Sequence, residues 1–501
     1  MTSSVSFNAI PDSIRVPLFY AEMDNSAANT AQTEGPALII AHPLSNATMA
    51  LNTLTLMPGE TKAKTMAGRG SQLARMVSAY RAVDPFGELW VIATPEPTAG
   101  VAANGKLTIT SAATESGTLS VYIGSTRVQV VVVALDAAAT VATALAAAIN
   151  AVSDLPVTAA AAAGVVTVTA KNKGLTGNQI PITLNYYGAE GGEVTPAGLN
   201  VTITAMASGT GAPDLSAAIS GLGDEMADYI AFPFSDSASL ATIGAEMNDD
   251  TGRWSYARQI YGHVYTAKIG DLSTLVAFGS TLNDQHLTVA GYEPGILTAA
   301  DELAAARTAR AAVFLRNDPA RPTQTGKING TLPAPAGKRF ILPEKQSLLT
   351  HGIATAYAES GSLFIERDIT TYQKNSLGDA DNSYLDSETL HTSAYVLRQL
   401  RSVITSKYAR HKLANDGTRF GDGQAIVTPA VIKGELCATY RQMERDGIVE
   451  NFDLFKQYLI VERNTANPNR VDVLFPPDYI NQLRVLAVKN QFRLQYNEED
   501  A

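Results

Sequence analysis

Residues 228–268 read DYIAFPFSDSASLATIGAEMNDDTGRWSYARQIYGHVYTAK. The apolar run DYIAFPF stops at a Ser/Asp-rich cluster, which is how a helix N-terminus announces itself, and a segment of helical length and spacing follows. QIYGHVYTAK then returns to β-branched and aromatic residues. LSTLVAFGSTLN (272–283) and HLTVAGYE (286–293) repeat the order helix then strand. Strands that alternate with helices imply a mainly parallel sheet covered on both faces.

Upstream, GPALIIAHPL (35–44) and GELWVIAT (87–94) are buried-strand runs on either side of a helix-like SQLARMVSAYRAV (71–83), and LSAAISGLGDEM (215–226) reads as a helix. Between Pro95 and Ser208 the texture changes to Ala, Thr, Val and Gly, with few charges. GKLTITSA, GTLSVYIG, TRVQVVVVAL, GVVTVTAK and IPITLNYYG read as short strands, and ATVATALAAAINA as one helix. Its loop-like entry and exit mark this β-rich piece, residues 97–207, as an insertion into the sheet domain. Downstream, Pro319, Pro322, Pro333, Pro335 and Pro343 mark a junction. Beyond it LFIERDITTYQ, YLIVERN and VDVLFPPDY are strand-like, while SETLHTSAYVLRQLRSVITSKYARHKL and ELCATYRQMERDG are helical. The fold class expected is therefore a multidomain α/β (mixed α+β) chain. A core sheet domain (35–96 and 208–320) carries the insertion; a C-terminal α+β domain (340–480) follows, and terminal arms (1–34 and 481–501) flank the whole.

Both arms carry a strand pattern without a core of their own. Ile14, Val16, Leu18 and Tyr20 alternate with Arg15, Pro17 and Phe19. Pro17 cannot donate to a ladder, so that strand belongs at an edge. The polar stretch AEMDNSAANTAQTE behind it is a tether able to span roughly 45 Å. At the other end Leu483, Val485 and Ala487 alternate on one parity, and Phe492, Leu494 and Tyr496 on the other. The slip across Lys489-Asn490-Gln491 predicts two short strands with a kink between them. Such strands either dock on their own domain or complete a sheet in a neighbouring subunit.

The chain has 501 residues, of which 46% are hydrophobic and 17% charged, which fits a globular protein and excludes wholesale disorder. Its formal net charge of -10 argues against broad binding of a phosphate backbone. The single cysteine, Cys437, forms no internal disulfide and reads as a small hydrophobe on a helix. MTSSVSFNAIPDSIRVPLFY lacks the cationic start and apolar run of a signal peptide, and Val130–Ala151 is too Ala/Thr-rich to span a membrane, so a soluble, cytoplasmically made protein is expected. Nothing in the motifs suggests catalysis. GETKAKT lacks Walker A spacing, no GxGxxG or GxSxG occurs, and the six histidines show no HExxH. Asp379, Asp381 and Ser383 imitate an EF-hand start, but Tyr384 and Leu390 stand where glycine and an acid are required. That stretch reads as a loop leading into a helix capped by Asp386 or Ser387. No catalytic residue, metal ligand or cofactor is expected. The helix from about 388 to 412 carries Arg398, Arg401, Lys407, Arg410 and Lys412, either as a solvated basic face or as a patch for an acidic partner. Arg441 and Arg445 on the next helix compete for that role.

IRVPLFYAEMDNSAAN, DPFGELWVIATPEP, TGRWSYARQIYGHVYTAK, NDPARPTQT, ITTYQKN, YLDSETLHTSAYVLRQLR and VERNTANPNRVDVLFPPDYINQLRV, in that order, resemble the contractile tail sheath proteins of Mu-like phages and prophages. The resemblance runs from residue 14 to beyond 485 and implies a structural subunit with no enzymatic role. Its partners would be further copies of itself in a six-fold helical tube, an inner tail tube protein, and baseplate and tail terminator proteins, with no nucleic acid and no direct membrane insertion. It implies terminal strands exchanged between neighbours, through Ile14, Val16, Leu18 and Tyr20 at one end and Val485, Phe492, Leu494 and Tyr496 at the other. Arg398, Arg401, Lys407 and Arg410 become candidates to face the tube. The location implied is the virion tail, assembled in the host cytoplasm, and the action is contraction that drives the tube through a cell envelope for genome ejection. Alternatives are the sheath of a contractile bacteriocin-like particle, a surface adhesin, or an enzyme with an Ala/Thr-rich binding domain.

Overall fold

A computed structural model describes residues 35–494, so Ile14, Val16, Leu18, Tyr20 and Tyr496 lie outside the described residues. β1 (Ala37–Ala41) is buried on both sides, with Leu38 and Ile40 in one core and Ala37, Ile39 and Ala41 in the other. β2 (Leu54–Leu56), α1 (Glu60–Ala67), α2 (Gln72–Arg81) and β3 (Leu89–Ala93) follow. β3 runs parallel to β1, and β2 closes that edge antiparallel to β3.

The chain then leaves the sheet through a narrow neck. Val101 and Thr210 exchange two backbone hydrogen bonds of 3.1 Å each. Between them stand β4 (Ala102–Ile109), β5 (Gly117–Ile123), β6 (Thr126–Val132), α3 (Ala138–Ala151), β7 (Val157–Ala162), β8 (Val165–Lys173), β9 (Ile182–Leu184) and β10 (Val201–Ala207). They form two antiparallel sheets, ordered β10-β4-β8-β7 and β6-β5-β9. Leu107, Val121, Leu145, Ile149 and Val166 pack into a core separate from that of the main sheet. This body is seated on the main sheet by polar contacts: Asn172 accepts from Gln72 N at 2.8 Å and donates to Pro43 O at 2.9 Å.

α4 (Ser216–Leu222), β11 (Tyr229–Ala231), α5 (Ser237–Met247), β12 (His263–Ile269), α6 (Leu272–Gly279), β13 (Leu287–Tyr292), α7 (Ala300–Asn317), β14 (Lys327–Ile328), α8 (Leu342–Thr350), β15 (Ile353–Glu359) and β16 (Ser362–Arg367) complete the main sheet. Asp236 accepts from Ser239 N and Asp271 from Thr274 N, the caps that start α5 and α6. Each cap is worth about 1 kcal/mol. The sheet order is β14-β16-β15-β13-β12-β11-β1-β3-β2, parallel from β15 to β3 and antiparallel at both edges. α2 and α7 cover one face, around Leu73, Met76, Tyr80 and Leu303. α4, α5, α6 and α8 cover the other, around Leu222, Leu240, Ile243, Leu275 and Leu348.

Two features depart from the sequence reading. The core domain does not end at 320. Ile353 and Ala354 pair in parallel with Val289 and Ala290, so α8, β15 and β16 belong to the central sheet rather than to a domain starting at 340. The prolines mark a long crossing from α7 to the far sheet edge, where Lys327 and Ile328 pair with Phe364 and Leu363. The second feature is α7 itself, eighteen residues that the sequence reading leaves unassigned. Its Ala-rich surface is buried nearly all round, so it lacks the two-faced pattern of a surface helix.

After Arg367 a smaller lobe forms from α9 (Ser387–Tyr408), β17 (Lys412–Leu413), β18 (Ile426–Val427), α10 (Pro429–Arg445), α11 (Phe452–Tyr458), β19 (Ile460–Arg463) and β20 (Val471–Leu474). Leu436, Tyr440, Met443, Phe452 and Phe455 make its core, with the Tyr440 ring stacked 3.7 Å from that of Phe455. Cys437 sits partly buried against that cluster. Among the described residues no helix is long and apolar enough to cross a membrane.

Candidate assembly interface

β19 and β20 form a two-stranded antiparallel sheet. Two strands are marginal by themselves in water. The hairpin leans on α10, where Lys433 Nζ donates to Leu459 O at 2.7 Å, and Val461 and Phe475 touch the lobe core. Among the described residues, the outer edges of both strands carry no ladder, and Ile460, Val473 and Leu474 are exposed.

Behind the hairpin the chain returns as residues 475–494, which pair as no strand within the described chain. Among the described residues neither of the two strands expected there from alternation forms, and Tyr496 of the second lies outside them. Val485, Leu486, Val488 and Phe492 are each 76–78% exposed, and Leu494 is 97% exposed. Single exposed apolar side chains are ordinary, but a contiguous run of them marks a contact surface.

The root of this arm is anchored in polar groups. Gln482 Nε2 donates to Ala320 O at 3.0 Å, and Gln324 Nε2 donates to Leu483 O at 3.1 Å. Arg484 pairs with Asp386 and Glu388, both at 3.1 Å. Glu388 is fully buried and accepts from Thr323 N at 2.8 Å. Burial raises its carboxyl above the ordinary range, and the Arg484 charge opposes the shift. Thr323 Oγ1 lies 2.8 Å from Asp368 and 2.9 Å from Glu388, so one hydroxyl hydrogen serves two carboxylates. Asp368, also fully buried, pairs with Arg307 of α7 at 2.6 Å. Asp386 holds Arg367 through two bonds of 2.8 and 2.9 Å. Asp386 is the residue at the N-cap of α9, as expected, yet its carboxylate serves these arginines rather than the helix N–H groups. Of this network the sequence reading named Asp386 alone. An Arg on the buried Leu303/Ala311 face of an Ala-rich segment was the one local signal for Arg307.

The basic residues of α9 separate. Arg398 turns inward: its guanidinium forms bonds of 2.5 and 2.6 Å to Asp228, donates to Ile260 O at 3.1 Å and lies 5.4 Å from the Tyr261 ring centre. Its charge is neutralised within the chain, which corrects the expectation of a residue facing outward. Lys407 reaches Glu435 of α10 at 2.5 Å. Arg401 remains exposed on α9, and Arg410 is exposed past its end, since the helix expected to reach about 412 stops at Tyr408 and Lys412 lies in β17. Close to Arg398, His391 is buried, stacks 4.9 Å from Tyr229 and bonds Tyr265 OH at 2.9 Å. Burial lowers its pKa to about 4, so the ring is neutral at pH 7. Among the described residues no group of three or more His, Cys, Asp or Glu could hold a metal.

Comparison with known proteins gives this arrangement its context. Residues 208–371 match the phage tail sheath protein central domain, and residues 379–493 match the phage tail sheath C-terminal domain. Over 502 residues the chain is 40% identical to the Mu-like prophage FluMu tail sheath protein of Haemophilus influenzae, covering 98% of this chain and all of that one. The chain belongs to the phage tail sheath family. It is a structural component of a Mu-like contractile tail, and the boundary between the two sheath domains falls between β16 and α9, where the sheet ends. The crystal structure of the sheath tail protein from Desulfitobacterium hafniense is similar over 94% of this sheath chain and 97% of its own, at 13% identity and a TM-score of 0.48. The anti-feeding prophage helical sheath in its contracted state is similar over 95% and 99%, at 10% identity and a TM-score of 0.45.

Proposed function

We propose that this sheath subunit polymerises as stacked six-membered rings around a tail tube, with its terminal arms exchanged as strands between neighbours. The observation that carries this reading is the exposed apolar run of residues 485–494 together with a hairpin whose two outer edges carry no ladder among the described residues. A segment with Val485, Phe492 and Leu494 exposed, and a two-stranded sheet with Ile460, Val473 and Leu474 exposed, each lack what the other supplies. Strand addition from a second copy covers both, and the same logic takes Ile14, Val16, Leu18 and Tyr20 to the opposite edge of the hairpin. Such contacts are heterologous and build open helical assemblies.

Contraction in this reading moves each subunit nearly as a rigid body, while residues flanking the exchanged strands absorb the rotation. A strand of five or six residues contributes several kcal/mol, at about 1 kcal/mol per backbone hydrogen bond, so the mesh stays connected while side-chain interfaces repack. The shortening sheath drives the tube through a host envelope for genome ejection. Baseplate and terminator proteins cap its ends, and assembly takes place in the host cytoplasm. Arg401 and Arg410, rather than Arg398, are then the charges available to an acidic tube.

The test is negative-stain electron microscopy at rising protein concentration, with and without tail tubes, on the full chain and on a chain ending at Arg484. Tubes or stacked rings are expected from the full chain only, with both chains melting alike. Full-length tubes from the shortened chain would overturn the exchange of the C-terminal arm.

A further inference from the structure

The partners of the arm root divide at Asn481. Just before it, Asp478 bonds Glu450 N, Asn451 Nδ2 and the Tyr440 hydroxyl, all in the C-terminal lobe. Just after it, Gln482, Leu483 and Arg484 bond Ala320, Gln324, Asp386 and Glu388. None of those four lies in α10, α11 or the hairpin. Ala320 and Gln324 sit in the loop behind α7, and Asp386 and Glu388 sit at the start of α9. Thr323, Asp368 and Arg307 continue the network into the middle of the central sheet domain. Three carboxylates (Asp368, Asp386, Glu388) meet three guanidiniums (Arg307, Arg367, Arg484), and Arg484 is the member that the arm carries.

We propose that Arg484 and Glu388 are a mechanical clamp that roots the C-terminal arm at the foot of α9 and, through it, in the central α/β domain, so that tension on the arm bypasses α10, α11 and the hairpin. The chain between Glu388 and Arg484 is closed into a loop by this pair. Force entering beyond Val485 meets Arg484 first and passes through Glu388, Thr323 and Asp368 to α7 and β16. α10, α11 and the hairpin lie off that path. Displacing Arg484 would leave Glu388 buried without its cation, which resists the opening. If the arm is the link between subunits described above, the load between subunits runs from sheet to sheet by way of the first turn of α9, and α10, α11 and the hairpin carry none of it.

Pulling one full chain by its two termini in optical tweezers tests the clamp without any assembly, so its failure is separable from a failure of arm exchange. In the wild type, the lobe releases its roughly 95 residues, about 30 nm of chain, only once the clamp has opened. Glu388→Gln with Arg484→Gln removes the cation and the buried charge together, and is expected to release the same length at less than half the force. Arg484→Lys keeps the charge and should fall between the two. Gln324→Ala with Gln482→Ala leaves every charge paired and should lower the force by a smaller step; it decides alone if the charge variant does not fold. Release of the lobe at wild-type force in these variants would overturn the clamp.

Discussion

Replacing Arg398 by glutamine separates two roles that a basic residue on α9 can have. Asp228 would keep its carboxylate, 8% exposed, and lose both bonds to the guanidinium. Halving a fully buried ion pair costs about 3–5 kcal/mol. Arg398 retains 23% side-chain exposure, which brings the loss to about 2 kcal/mol. The hydrogen bond to Ile260 O adds about 1 kcal/mol and the contact with Tyr261 about 0.5 kcal/mol, for a total between three and four. Trp254 lies 5.0 Å from the Tyr261 ring, so its fluorescence follows this seam in a urea titration. The expected result is a marked fall in midpoint for Arg398→Gln, partly restored by Asp228→Asn, which removes the stranded charge. Arg401→Gln, one helical turn on and exposed, should stay within about 0.5 kcal/mol of wild type but weaken assembly on tail tubes. A loss below about 0.5 kcal/mol for Arg398→Gln would refute the assignment of Arg398 as the tie between lobe and sheet.

Acid should loosen the same seam. His391 has its folded pKa lowered to about 4 from 6.5, so its contribution is complete above 6.5 and is lost as pH falls towards 4, when only the unfolded chain takes the proton. The loss approaches about 3 kcal/mol, and His391→Gln should flatten that part of a pH series of urea midpoints. Tyr440→Ala removes a fully buried ring stacked on Phe455 and a bond to Glu450 O, costing about 3–5 kcal/mol; hydrogen exchange should rise in α10, α11 and the hairpin before the central sheet. Gly221→Ala, inside α4, ordinarily favours a helix, but the new Cβ would stand 1.9 Å from Asn52 O, so the melting temperature should fall rather than rise.

The parallel strands were legible because both of their faces are buried, which makes ALIIA and LWVIA continuous apolar runs rather than alternating ones. The Ser/Asp cluster that holds Asp236 could be read as a helix start because a cap is settled by its own next three residues. What failed to show depends on residues far apart in sequence. Nothing around Arg398 says that Asp228, 170 residues earlier, takes its charge. Nothing around Glu388 says that Arg484 closes over it. Proline density reads as a junction between domains, but a proline-rich crossing can lie inside a sheet domain as well, and this one carries β14 and enters α8 at Pro343. The alternation of Val485, Phe492 and Leu494 stands out in the sequence because no core element of this subunit accounts for it.

The neck between Val101 and Thr210 has a consequence for engineering. Two residues that exchange both backbone hydrogen bonds have Cα atoms about 5.5 Å apart, so the chain leaves and re-enters the sheet domain as it would around a hairpin turn. A foreign module whose ends lie that close can replace residues 102–209 without moving β3 or α4, and a short Gly-containing turn can stand there in its place. The seat left behind sets one condition on any such graft. Gln72 N and Pro43 O lose Asn172, Ile269 N loses Gln179, Pro333 O loses Tyr186 and Thr298 loses Ser125, and a cargo that offers these groups polar side chains, or leaves them open to water, will be carried by the sheath subunit as the native insertion is.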